Sequence, residues 1–266
     1  MQIHRPLNYI SDGVDKRDFK LNRRLFRKLT GRKRSKILKR LPKEFDHTPN
    51  MTPVKDQGTL GSCVAFSTAA LKEWQEWQEY LKESPDCDNK FSDLSEQWIY
   101  HKCKELDDIP SEGTTIRTAL KVLKNYGVPP ERYWTYNPHK KGEPEEEADK
   151  IAKYTRIGDF FRIKNLKELK IALLHTPVPM GVVVQPNFYT ANNGVISVPS
   201  VDKRKGGHAI CAVGFDDDKQ LIKFKNSWSK NWGDKGYGYI TYNYFKRYCM
   251  AAWAVKDIHV DINSIM

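Results

Sequence analysis

The apolar pattern of the chain changes period once, and that change limits the folds open to it. Between Ser62 and about Leu81, the residues Val64, Ala65, Ala69, Ala70, Trp74, Trp77 and Leu81 mostly recur at helical spacing, with Gly61-Ser62 as a start. Ser95 can open a second helix running to about Leu106. Residues 114–125 predict a third, carrying Ile116, Leu120, Val122 and Leu123 and stopped by Tyr126-Gly127. Residues 165–175 predict a further short helix, and the acidic run 143–147 reads as a helix start or a solvated face. From Pro177 onward the pattern is of strand length instead: residues 179–184, 208–215, 221–226 and the alternating 236–242. Helices first and strands later imply an α+β chain in two lobes, divided near residues 155–160.

Composition fits a folded body with a charged extension. The 266 residues allow one or two domains, and 39% hydrophobic with 12% aromatic content excludes a wholly disordered chain. No stretch approaches the roughly 18 apolar residues of a membrane span, and the first residues lack the apolar core of a secretory signal. The net charge of +12 is unevenly placed: residues 1–40 hold 14 Lys+Arg against 3 Asp, and the remainder is close to neutral. A uniformly basic, nucleic-acid-binding body is therefore not expected. The basic segment reads as a removable pro-segment, an anchor for an anionic partner (nucleic acid or a membrane surface), or a localisation signal. The plain alternative is a solvated arm wrapped on the body through Leu7, Ile10, Phe19, Leu21, Leu25 and Phe26. Leu41-Pro42 marks its end, since the residue before a proline is pushed to extended geometry.

Three islands carry chemistry. Thr52-Pro53-Val54-Lys55-Asp56-Gln57-Gly58 leads to Gly61-Ser62-Cys63, which places a cysteine in the first turn of an apolar helix, where free N–H groups favour a thiolate. Gly206-Gly207-His208-Ala209 sets a histidine at the start of a strand. Lys225-Asn226-Ser227-Trp228 sets an amide beside an indole at a strand end. Each alone has an ordinary structural explanation: a buried thiol, a hydrogen-bonded histidine, a turn-forming asparagine. Together, in the order Cys…His…Asn, they supply a nucleophile, a base and a group that orients the base.

With Leu94-Ser95-Glu96-Gln97, Val213-Gly214-Phe215 and Trp232-Gly233 ahead of Gly236-Tyr237-Gly238, this text resembles the papain-like cysteine peptidases over roughly residues 41–255. Asp15-Lys16-Arg17-Asp18-Phe19, Leu60 and residues 112–120 bring it closer to bacterial, archaeal or viral members than to lysosomal ones. The resemblance implies a two-lobe papain-like fold, with a helical N-terminal lobe, an antiparallel β-barrel-like C-terminal lobe and the active-site cleft between them. The implied division is a basic arm or pro-segment at 1–40, a lobe with the nucleophile at 41–157, and a lobe with the histidine and asparagine at 158–266. Cys63 would be the nucleophile, held as thiolate by His208 as imidazolium. His208 would protonate the leaving amine and then activate water. Asn226 would fix the imidazole rotamer under the cover of Trp228, and the Gln57 amide with the Cys63 N–H would form the oxyanion hole. Gly113 would pair with an extended substrate, with Thr114 and Gly207 beside it. Ile116, Gly181 and Ala209 would line the pocket for the residue two before the scissile bond, suiting aliphatic or aromatic side chains.

Departures from the family pattern are part of the same text. Val64 stands where the family often has tryptophan, and Glu112-Gly113-Thr114 occupies the place of its Cys-Asn-Gly-Gly-type segment. The five cysteines, Cys63, Cys87, Cys103, Cys211 and Cys249, cannot form the three disulfides of secreted relatives, although a Cys87–Cys103 bridge stays open. An intracellular, reducing compartment (a viral particle among the settings considered) is the expectation. No cofactor or metal is implied, because metal-ligand spacings and a phosphate-cradling glycine loop are absent from the sequence. The expected activity is that of a thiol endopeptidase acting as a monomer on polypeptides, with residues 1–40 as an inhibitory segment laid through or beside the cleft. A catalytically silent binding protein on the same fold would be marked by loss of Cys63, His208, Asn226 or Gln57, and all four are present. A transpeptidase or peptide ligase would use the same thioester.

Overall fold

The thirteen residues from Cys63 to Gln75 are buried on every side, so the helix that carries them runs through the interior rather than over the surface. This is α1 (Cys63–Glu83). The computed structural model of the chain describes residues 5–16, 18–19, 41–83, 93–191 and 194–258. Around α1 stand α2 (Glu96–Leu106) and α3 (Ile116–Asn125), each started by a hydroxyl that satisfies a free backbone donor. Ser95 accepts from the Trp98 amide at 3.0 Å and Thr115 from the Thr118 amide at 3.0 Å. The acidic run leads into the short α4 (Ala148–Ala152), and Asn165 caps α5 (Leu166–Leu173) by accepting from the Glu168 amide.

The strands are β1 (Glu44–Asp46), β2 (Ile157–Arg162), β3 (Val178–Val184), β4 (Val195–Ile196), β5 (Gly206–Asp216), β6 (Leu221–Lys225), β7 (Tyr237–Thr241) and β8 (Cys249–Asp257). A last helix, α6 (Tyr242–Tyr248), precedes β8. The sheet order is β2-β8-β3-β5-β6-β7-β4, with β1 paired to β5. Every pairing is antiparallel except the short β4–β7 one. The sheet remains open, so its barrel-like character stops short of closure.

Two strands hold the two cores together through the two-residue period of a pleated sheet. On β5, Ile210 and Ala212 enter the core of the sheet side with Phe161, Phe188, Phe224 and Tyr244. Their neighbours Ala209 and Cys211 enter the core of the helical side with Trp98, Leu120 and Val64. On β8, Ala252 and Ala254 face the first core, while Ala251, Trp253 and Val255 face the second. A strand buried on both faces reads as a continuous apolar run without alternation. β3 and β5 read so; β8, with three alanines in nine residues, is poor in strand formers, and the half-buried β2 is interrupted by Gly158-Asp159, so neither carries a strand pattern in the sequence.

Charge also crosses between the lobes, mostly inside, with Lys55 at its half-buried edge. Lys55 bonds Glu73 at 2.8 Å and Glu96 at 2.7 Å. Thr52 donates to Glu73 at 2.5 Å and accepts from the Lys225 ammonium at 2.8 Å. Glu73, Glu96 and Lys225 are all buried. Burial works to raise the Glu73 carboxyl, but Lys55 and Lys225 together hold it below its ordinary value. Glu96, whose strongest influence is burial, is pushed up to about 8. Removing one member of such a cluster leaves a buried charge unpaired. Glu73→Gln is therefore expected to cost about 3–5 kcal/mol in urea unfolding, and a loss below about 1 kcal/mol would contradict the role given to the cluster.

Candidate active site

Cys63 is the first residue of α1 and is fully buried. His208 lies on β5, and its Nε2 is 2.8 Å from Asn226 Oδ1, which follows the end of β6. An asparagine oxygen only accepts here, so Nε2 carries the proton and Nδ1 is left for other chemistry. Nδ1 is buried without a hydrogen-bond partner. The Trp228 ring lies 4.7 Å from the imidazole, centroid to centroid, and is itself buried. It stands beside the His208–Asn226 bond, where a buried ring limits the access of water.

The amide of Gln57 is held on both ends. Ser227 donates to Gln57 Oε1 at 2.6 Å, and Gln57 Nε2 donates to the Leu60 carbonyl at 3.0 Å. The Gln57 backbone is fixed by its N–H to Ser227 O and by the Tyr136 hydroxyl on its carbonyl. These contacts decide which end of the amide carries the donor. Tyr136 and Ser227 are positioning residues that motif reasoning did not single out, although Ser227 stands inside the Lys225–Trp228 island.

Residues 5–12 run across this site. Tyr9 N–H donates to Gly207 O at 3.0 Å and Ile10 N–H to Thr114 O at 3.1 Å, forming parallel bridges on both walls. Arg5 pairs with Asp56 and donates to the Trp228 carbonyl; Asn8 donates to Glu112 at 3.0 Å. The glycines of the cleft exist to let this backbone pass. A Cβ on Gly113, whose φ is +90°, would lie 1.8 Å from the Asn8 carbonyl oxygen. One on Gly181 would lie 2.0 Å from the Tyr9 ring, and one on Gly207 2.4 Å from Tyr9 O. Tyr9 is thus buried in a core shared with Ile116, Ala209, Ala251 and Trp253. Of the six residues expected to bind substrate, Gly113, Thr114, Gly181 and Gly207 meet around this one segment, and Ile116 and Ala209 belong to the core that Tyr9 enters.

The arm is anchored by carboxylates. Asp12, fully buried, accepts from Tyr9 OH at 3.0 Å, from the Arg117 N–H at 2.7 Å and from Trp253 Nε1 at 3.1 Å. Asp18 receives both Nε and Nη2 of Arg117, at 2.8 and 2.7 Å, and lies 3.5 Å from Arg162. Leu7 packs on the sheet-side core and Phe19 stands 6.3 Å from Phe161. Leu21, Leu25, Phe26 and the basic run that follows lie outside the described residues.

The closed arm bears on the electrostatics of the site. With the arm in place, burial pushes the Cys63 thiol up to about 11, although backbone hydrogen bonds from Ala209, Val64, Cys63 and Asn8 pull the other way. Burial likewise takes His208 down to about 4, against the Asn226 bond. Each shift favours the neutral form while the pair is covered. Cys63, Cys103, Cys211 and Cys249 are free thiols, so Cys103 is not bridged, and Cys87 lies outside the described residues. Among the described residues, no three His, Cys, Asp or Glu side chains gather as a metal site.

A family model described as "Papain family cysteine protease" matches residues 41–256. The chain belongs to the papain family of cysteine proteases. It is 31% identical to an uncharacterised peptidase C1-like protein of Acanthamoeba polyphaga mimivirus, covering 96% of this chain and 88% of that one. Xylellain, a cysteine protease from Xylella fastidiosa, superposes with a TM-score of 0.80 at 26% identity, covering 95% of this chain and 96% of the other. Chymopapain of Carica papaya is 31% identical over 70% of this chain, which spans only 51% of that protein's length. The fold and the cysteine-peptidase character are therefore those expected from the motifs.

Two outcomes test the site. Removing water from the thiol is what raises it, so exposing the cleft must lower its midpoint. Alkylation of Cys63 by iodoacetamide should stay slow until strongly alkaline pH in the intact chain. In Asp12→Asn/Asp18→Asn the alkylation curve should move to lower pH, and coincident curves would contradict this account. Ser227→Ala should lower kcat toward peptides by about fivefold with little change in KM, because one hydrogen bond of about 1 kcal/mol orients the Gln57 amide. An unchanged kcat, or a loss carried by KM, would remove Ser227 from that role.

Proposed function

We propose that the chain is a latent cysteine endopeptidase whose N-terminal segment must leave the cleft before substrate enters. The observation that carries this is the path of residues 5–12. They use the Gly207 and Thr114 carbonyls, fill the Tyr9 pocket beside Gly181 and bring the Asn8 N–H to the Cys63 sulfur. An extended peptide needs those same groups.

With the arm displaced, water reaches Cys63 and His208, and the charge-separated pair becomes accessible. The thiolate attacks the scissile carbonyl, and the oxyanion is met by the Gln57 amide and the Cys63 N–H. His208 gives its proton to the departing amine. Water, activated by the same imidazole, then hydrolyses the thioester. Asn226 and Trp228 keep the imidazole in the orientation that leaves Nδ1 toward this chemistry. The roles of Cys63, His208, Asn226 and Gln57 are part of the proposal. Their presence together in one buried constellation speaks against a silent binding protein.

The test is hydrolysis of an internally quenched peptide by the full chain. The wild type should be slow and Asp12→Asn/Asp18→Asn at least about tenfold faster, since each lost charge-assisted hydrogen bond weakens the closed arm by about 1.5–3 kcal/mol. Cys63→Ala in the same background should abolish turnover. Equal rates for wild type and the double variant would rule out latency; turnover that survives Cys63→Ala would rule out the thioester route.

A further inference from the structure

The carboxylates of the arm are not held by a generic surface. Trp253 offers a buried indole N–H, and the guanidiniums of Arg117 and Arg162 lie 5.4 and 5.5 Å from its ring centroid, one from α3 and one from β2. Both guanidiniums find Asp18 on the arm, and Arg162 also donates to the Asp12 carbonyl at 2.7 Å. The Arg117 N–H sits in the first turn of a ten-residue helix, where backbone donors lack intrahelical partners. The site is therefore a receptor with indole, amide and two planar cations converging where carboxylates now lie.

It continues outward. A groove of about 740 Å³ runs from the wall of the Tyr9 pocket, at Cys249 and Ala251, past Arg162. Its charged lining residues are Arg162, Lys164, Lys167 and Lys246, all cationic. When the arm leaves, Asp12 and Asp18 leave with it. The Trp253 N–H is then open to water or to a carboxylate that a substrate brings.

We propose that the open enzyme selects polypeptide substrates carrying an acidic side chain on the acyl side of the scissile bond, read by Arg117, Arg162 and Trp253. The arm imitates such a substrate in charge but with the chain reversed: its carboxylates follow the aromatic pocket residue, whereas a substrate with its acyl side on the receptor carries them ahead of that residue. This inference rests on the latent-peptidase reading, because it requires the arm to vacate the cleft. It adds a specificity which that reading does not need. Paired guanidiniums suit the planar carboxylate, so the effect belongs in substrate capture more than in chemistry.

The test uses the full chain carrying Asp12→Lys and Asp18→Lys, which turns the arm's anchors against Arg117 and Arg162. Internally quenched peptides with Tyr two residues before the scissile bond carry either Glu or Gln at the third, fourth or fifth position before it. The Glu peptide should be cut with about tenfold higher kcat/KM at one or more of these positions, mostly through KM, and the ratio should shrink with added salt. Arg117→Gln with Arg162→Gln should bring the ratio close to one, and Arg162→Lys should restore part of it. The inference is overturned if Glu and Gln peptides are cut alike, or if the preference survives loss of both arginines. It is also overturned if an epoxide thiol inhibitor labels Cys63 while no peptide of the set is cut. Absence of both cleavage and labelling would instead bring down the peptidase reading itself.

Discussion

The buried cluster of Lys55, Glu73, Glu96 and Lys225 is what the remaining structure depends on. Three of its members stand on the helical side, ahead of or on α1 and α2, and the fourth ends β6. Their bonds through Thr52 tie the chain segment that carries Gln57 to the strand that delivers Asn226. Charges in an interior are costly unless each meets a partner in good geometry, so the cluster tolerates little sliding between the lobes. Because Asn226 directly follows Lys225 and Ser227 follows Asn226, one fixed ammonium sets the imidazole's partner and the oxyanion amide's partner together.

The two lobes also share their strands. Alternate residues of β5 and β8 enter different cores, so neither core can loosen without moving the other. His208 is carried on β5 at this seam, one residue before Ala209, whose backbone reaches the Cys63 sulfur. His208 is thereby placed by packing on both sides of its strand, while Cys63 is placed by an interior helix that touches the same strand. Residues 5–12 lie over that site, and burial shifts Cys63 and His208 each toward its neutral form.

Much of the site was legible in the sequence because catalytic roles depend on a few short motifs with fixed local geometry. Cys63 at a helix start, Gly207-His208 entering a strand and Asn226 at a strand end are each set by neighbours in the chain. So are the helix starts at Ser95, Thr115 and Asn165, whose side chains reach donors two or three residues away. What could not be read were groups brought together from far apart. Arg117, Arg162, Asp12 and Trp253 come from four separate segments and converge only when the sheet and α3 are in place. The strand β8 escaped for another reason: its three alanines are poor strand formers, and only pairing with β3 and β2 makes the run a strand.

The sequence by itself determined the family, the order nucleophile, base, orienting amide, and the concentration of positive charge in the first forty residues. It also determined that glycines stand at 113, 181 and 207, where no side chain can block a passing backbone. Only the tertiary structure decided what passes there. The arm lies in the cleft because Asp12 and Asp18 find guanidiniums and an indole N–H that folding places at its far end, and because Tyr9 fits over Gly181. Tertiary structure also set how burial bears on the two groups. A thiol and an imidazole with ordinary pKa values in the unfolded chain shift in opposite directions, each toward its neutral form, when water is shut out, a consequence of burial that no spacing of residues along the chain encodes.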